Sequence, residues 1–207
     1  MRKFLLFLPV LLIVALFPLA GCGGGDNTDT GAADTSATGG GDEAQITDVI
    51  TTAATTTSRD NCVNLETTRF VEQNAAKTGQ AAIQDCETND PGETYADSVD
   101  VTNIQVSGDT ATADVAITGS TFDGQTLSVS LVKEGDQWKL DHFDSFVKYD
   151  AQAFADSLGT SLKAQGQLTP AQISCVQKVV TTTSASQIEA AILSGQSAQI
   201  SALFSNC

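Results

Sequence analysis

Residues 110–118 carry a two-residue period, with Ala111, Ala113, Val115 and Ile117 standing between Thr110, Thr112, Asp114 and Thr118. Side chains that alternate in this way make a half-buried strand, with one face on a core and the other toward water. Such a strand needs partners, and the sequence has them at hairpin distance on both sides. Upstream, Tyr95 to Val106 carries Val99 and Val101, then Ile104 and Val106. The phase slips by one residue near Thr102, which predicts a bulge. Gly108-Asp109 makes a tight turn into 110–118, and Phe122-Asp123-Gly124 makes the next. Leu127, Val129 and Leu131 alternate on a third strand, and Gly135-Asp136 leads into a fourth with Trp138 and Leu140. Connections this short join antiparallel neighbours, so the pattern predicts a four-stranded meander.

Helical patterns flank it. Over 42–57, Asp42 can cap, Gln45 follows in capping-box position, and Ile46, Val49, Ile50, Ala53 and Ala54 share one face. A second helical region holds Cys62, Leu65, Phe70 and Val71, and a third spans Ala81 to Cys86, with Gly79 between them. Asn89-Asp90-Pro91-Gly92 is a turn signal before the sheet. Beyond the sheet, Tyr149 to Gln165 places Phe154, Leu158 and Leu162 at spacings of four. Thr169-Pro170 with Gln172 starts a further helix that lines up Ile173, Val176 and Val180. Ser186 with Glu189 opens another, and Ile200, Leu203 and Phe204 form a last short one ending at Cys207. The expected fold class is α+β. N-terminal helices pack on the curved meander over 42–149, and a C-terminal helical appendage follows over 150–207.

The chain opens differently. Arg2 and Lys3 precede an apolar run, Phe4 to Phe17, broken only by Pro9. That run is too short for a permanent span, which needs about 20 residues. Leu19-Ala20-Gly21-Cys22 then resembles the bacterial lipobox. The resemblance implies a signal peptide over 1–21, cleavage before Cys22, and acylation of the Cys22 thiol. The chain would then be a lipoprotein held on the outer face of a cell membrane or outer membrane. Two or more acyl chains anchor stably, whereas one is marginal. Residues 22–41 have the small, polar composition of a disordered tether.

Charge excludes some partners. The chain has 25 acidic and 10 basic residues, and loss of Arg2 and Lys3 leaves 25 against 8, a net −17. Nucleic-acid binding needs basic residues to displace counterions, so none is expected. Of five cysteines, Cys22 is taken by lipid, and Cys62, Cys86, Cys175 and Cys207 remain. An even number in an oxidising compartment points to disulfides. Three connectivities exist. Loop entropy gives each bond about 3.5 kcal/mol and does not choose between them. Locality favours Cys62–Cys86 and Cys175–Cys207, each bracketing a compact helical stretch. Cysteine spacing and the single histidine, His142, give no metal site, and no cofactor is expected.

Helices, a meander, and then Gly135-Asp136-Gln137-Trp138-Lys139-Leu140 on the last strand resemble the nuclear transport factor 2-like superfamily over about 42–149. That resemblance implies an α+β cone whose enzymes use an interior cavity, with an Asp or His base and a Tyr or Asp donor. The candidates here are Asp141, His142, Asp144 and Tyr95. Alternation puts His142 on the same side as Trp138 and Leu140, where it reads as a packed structural histidine. No nucleophile elbow or phosphate loop is present, and no segment has the spacing of a calcium loop. The expected function is therefore a non-enzymatic module that binds a small apolar ligand or an envelope protein. The alternative is a cone-cavity isomerase or hydro-lyase using Asp141, His142 and Asp144.

Overall fold

Four strands, β1 (Ser98–Ser107), β2 (Thr110–Thr118), β3 (Thr126–Glu134) and β4 (Gln137–Lys148), form one antiparallel sheet in chain order. The computed structural model describes residues 39–75, 77–88 and 95–207. The leader, Cys22, most of the tether and the turn expected at 89–92 lie outside them. Gly108 and Gly135 lead the two-residue hairpin loops with φ of +61° and +66°, values that a side chain would strain. The slip in β1 is a bulge between Thr102 and Gln105. Asn103 adopts φ +52° there and donates its side-chain amide to Asp114 Oδ2 at 2.7 Å. Tyr95 precedes β1 instead of belonging to it.

Eight helices surround the sheet among the described residues. The first, α1 (Gly39–Thr55), lays Ile46, Val49, Ile50 and Ala53 on the inner face of the sheet, against Ala113, Val115, Leu127, Val129, Leu131, Trp138 and Leu140. It starts three residues before the expected cap, so Gly39 to Gly41 are helical and not tether. Asp42, in the first turn, serves a tertiary contact: Oδ1 accepts from Trp138 Nε1 at 3.0 Å and Lys133 Nζ at 2.9 Å.

The second expected region is two helices, α2 (Asn61–Asn64) and α3 (Thr68–Ala75). Between them the chain pairs with β4: Thr67 N donates to Leu140 O, and Leu140 N to Leu65 O, both at 2.8 Å. Thr67 then caps α3 by accepting from Phe70 N at 3.2 Å. The next helix, α4 (Gln80–Thr88), is joined to α2 by the Cys62–Cys86 bond.

Helices α5 (Ala151–Gln165), α6 (Pro170–Thr182), α7 (Ala185–Ile192) and α8 (Ser197–Leu203) follow the sheet. Asp150 caps α5, and Thr169 with Gln172 forms a complete capping box on α6. Ser184, not Ser186, precedes α7. Cys175 bonds to Cys207, so both disulfides join the pairs that locality favours. Phe154, Val180 and Ile188 make a second core that borrows Phe122 and Phe146 from the sheet region, while Leu193 enters the core of the sheet itself. Gln125, 1% exposed, ties the β2–β3 loop to α5: Oε1 accepts from Asp150 N, and Nε2 donates to Asp150 O.

Candidate functional site

Strand β4 departs from simple alternation. Its pairing with β3 slips between Ser130 and Leu131, between Ser128 and Val129, and between Thr126 and Leu127. In each case the extra residue lies on β4: Asp141, Asp144 and Val147. Trp138, Leu140, Phe143 and Phe146 therefore face inward, at spacings of two, three and three. Each bulge reverses the phase. His142 consequently pairs with Ser130 on the outer face, opposite to Trp138 and Leu140, and the expectation of a histidine packed beside them is corrected.

The bulges also govern the free edge of β4, where unpaired backbone would otherwise invite association. Leu140 is taken by Leu65 and Thr67. Phe143 N donates to Gln73 Oε1 at 2.8 Å, and Gln73 Nε2 donates to Phe143 O at 3.0 Å, so one amide side chain imitates a neighbouring strand. Phe146 N donates to Glu189 Oε2 at 2.8 Å. Gln73 Nε2 also donates to Leu193 O, which brings α3, β4 and the end of α7 to one point.

Asp141, His142 and Asp144 come together there. His142 Nδ1 lies 2.9 Å from Asp141 Oδ2, and Nε2 lies 2.5 Å from Asp144 Oδ1. Asp141 also accepts from Thr67 Oγ1 at 3.0 Å and Arg69 Nη1 at 2.7 Å, while Ser130 Oγ donates to Asp144 Oδ2 at 2.8 Å. Burial pushes the Asp141 carboxyl up, but hydrogen bonds from His142 and Thr67, with the charge and hydrogen bond of Arg69, outweigh it and hold it below the usual carboxylate range. Both ring nitrogens thus face carboxylates. These contacts hold the ring in place between two acidic side chains at the edge of β4.

Beside the cluster runs a half-open groove of about 650 Å³. Arg69, Gln73, Lys77, His142 and Phe143 form one side, and the α7–α8 turn with Gly195 and Gln196 forms the other. Gly195 has φ +66°, and a Cβ on it would stand 2.6 Å from Gln73 Cα, so the turn can close on α3 only with glycine there.

Tyr95 is not part of this cluster. It lines a second cavity, of about 220 Å³, with Arg59, Asn61, Glu66 and the Cys62–Cys86 bond. Sequence reasoning missed Thr67, Arg69, Gln73, Gly195 and Glu66. Only Thr67 had a local signal, as a residue that can cap a helix; the others act through partners 70 or more residues distant, or through burial. No family model, curated protein or solved structure matches the chain, and no helix among the described residues is long and apolar enough to cross a membrane.

Proposed function

We propose that this chain is a cell-envelope lipoprotein, acylated at Cys22 and tethered to the outer face of a membrane, where its nuclear transport factor 2-like domain works as a non-enzymatic protein-binding module. One observation carries the binding reading: the inner face of the sheet is occupied by packed side chains, and its polar cluster lies on the outside. Ile46, Leu127, Val129, Leu131 and Trp138 are 1% exposed or less. Neither the 650 Å³ groove nor the 220 Å³ cavity is lined by any of them. A cone-cavity isomerase or hydro-lyase needs Asp141, His142 or Asp144 inside, next to a donor, and a carrier of small apolar ligands needs the interior empty. The filled interior favours a protein partner over either. The groove of α3, β4 and the α7–α8 turn combines an apolar floor at Phe143 and Leu193 with Arg69, Lys77 and Glu72, the mixed character of a protein-recognition surface.

The test is a photo-crosslinking residue placed at exposed Gln196 in the groove, or at exposed Gln105 on β1, in intact cells. The proposal expects a discrete protein adduct from position 196 and none from 105. Equal adducts from both, or none at 196, would overturn it.

A further inference from the structure

The Cys62–Cys86 bond packs against a small apolar cluster with Val71 and Ala82 on one side and borders a cavity on the other. It walls the 220 Å³ cavity, with Cys62 only 2% exposed and Cys86 half-buried, so Cys86 is the more accessible half of the bond. A carboxylate oxygen of Glu66 and both sulfurs lie within 4.8 Å of one another. Among the described residues no hydrogen bond or ion pair engages that carboxyl, although the chain on either side of Glu66 is fixed to β4 through Leu65 and Thr67. A half-buried carboxyl without a partner weakens a fold, and here it stands beside the one group in the cavity capable of covalent exchange. Burial raises it to about 7, so both of its protonation states are populated near neutrality. The other charged or titratable groups facing the cavity are Arg59 before α2, Asp85 of α4, which is ion-paired with Lys77, and Tyr95 before β1.

We infer that Cys62–Cys86 is an exchange-active disulfide at which Glu66 supplies the proton to the departing sulfur. A thiolate of an external dithiol attacks Cys86 Sγ, forming a mixed disulfide and breaking the Cys62–Cys86 bond. The electron pair of that bond leaves on Cys62 Sγ, which takes the proton of the Glu66 carboxyl and leaves a carboxylate. The second thiolate of the dithiol then attacks the dithiol's own sulfur in the mixed disulfide and expels Cys86 as a thiolate, which is protonated from solvent. Two electrons and two protons pass to the cysteine pair, and the dithiol departs as its disulfide. In the reverse direction the Glu66 carboxylate accepts the Cys62 proton as the Cys62–Cys86 bond re-forms, and an external disulfide is reduced to its dithiol at the same site.

The test uses the whole mature protein with dithiothreitol between about pH 5.5 and 8.5. Thiols are trapped by alkylation, each cysteine pair is followed by peptide mass spectrometry, and rates are expressed per reductant thiolate. The wild-type rate at Cys62–Cys86 is expected to fall about tenfold or more as Glu66 ionises near pH 7, because a carboxylate withholds the proton and repels both thiolates. Glu66→Gln is expected to lose this slope and Glu66→Asp to regain part of it. Cys175–Cys207, with no Asp or Glu side chain grouped with its sulfurs among the described residues, serves as the internal control and is expected to stay flat. A flat wild-type profile, a slope that survives in Glu66→Gln, or an equal slope at Cys175–Cys207 would overturn the inference.

Discussion

Gly195→Ala tests the groove at its closest approach. The new Cβ would stand 2.6 Å from Gln73 Cα and 3.0 Å from Gln73 O, atoms of a helical backbone that cannot rotate aside. Two costs add: about 1–2 kcal/mol for a non-glycine residue in the left-handed region, and about 1–3 kcal/mol for overpacking. Gly166→Ala separates them, because Gly166 has φ +65° and nothing within 4 Å of its Cβ position. Both substitutions lower the entropy of the unfolded chain equally, so that effect cancels between them. The expected difference is about 2 kcal/mol, or roughly 4–8 °C in Tm for a chain of this size. Scanning calorimetry of the two variants beside wild type reads it directly. Equal losses would mean that the α7–α8 turn does not rest on α3, and the groove as described would not exist.

Further outcomes follow from single groups. The folded Glu66 pKa of about 7 lies above its ordinary value of 4.5. Stability should therefore fall as pH rises between those values, and Glu66→Gln should be more stable than wild type at pH 8 by about 2–3 kcal/mol, with no gain at pH 4; urea unfolding at both pH values decides it. Asp141 shows the opposite sign: its folded pKa is depressed, so its contribution is present above the unfolded value and is lost as pH falls through the folded one. Asp141→Asn should cost about 1–2 kcal/mol at pH 7 and little at pH 2, in the same assay. Among the described residues the buried Tyr149 hydroxyl has no hydrogen-bond partner, so Tyr149→Phe should hold or raise Tm, with up to about 1 kcal/mol of added stability. Removing the Cys175–Cys207 bond by paired serine substitution should cost about 2–4 kcal/mol by thermal unfolding.

The parts of the fold legible in the sequence are those whose cause is local. Val115 and its neighbours show their strand because burial on one face imposes a period of two, and Gly108 and Gly135 show the hairpins because the turn itself demands positive φ. The slip near Thr102 was visible because apolar residues lie on both sides of it. The bulges at Asp141 and Asp144 were not. The stretch from Trp138 to His142 reads equally well as continuous alternation, and only pairing with Ser128 and Ser130 across the sheet reveals the extra residues. Asp42 misled for a related reason: a carboxylate at the start of a helix suits a cap, yet Trp138 and Lys133 claim it from 91 or more residues away. Gln73 and Glu189 cover the edge of β4, a role that any long polar side chain could fill, so nothing in their own neighbourhood announces it. Of the candidate site, the sequence named Asp141, His142 and Asp144 but placed His142 on the wrong face. It also grouped with them Tyr95, which lines a different cavity.

The proposed function requires a membrane-tethered protein whose interior holds no guest, and native mass spectrometry of the form extracted from membranes tests it most directly. The expected species begins at Cys22, carries a diacylglyceryl group and a further acyl chain, has lost four hydrogens to two disulfides, and releases no bound small molecule on activation. A mature chain free of lipid, or one that retains a stoichiometric apolar ligand until it unfolds, would contradict the account.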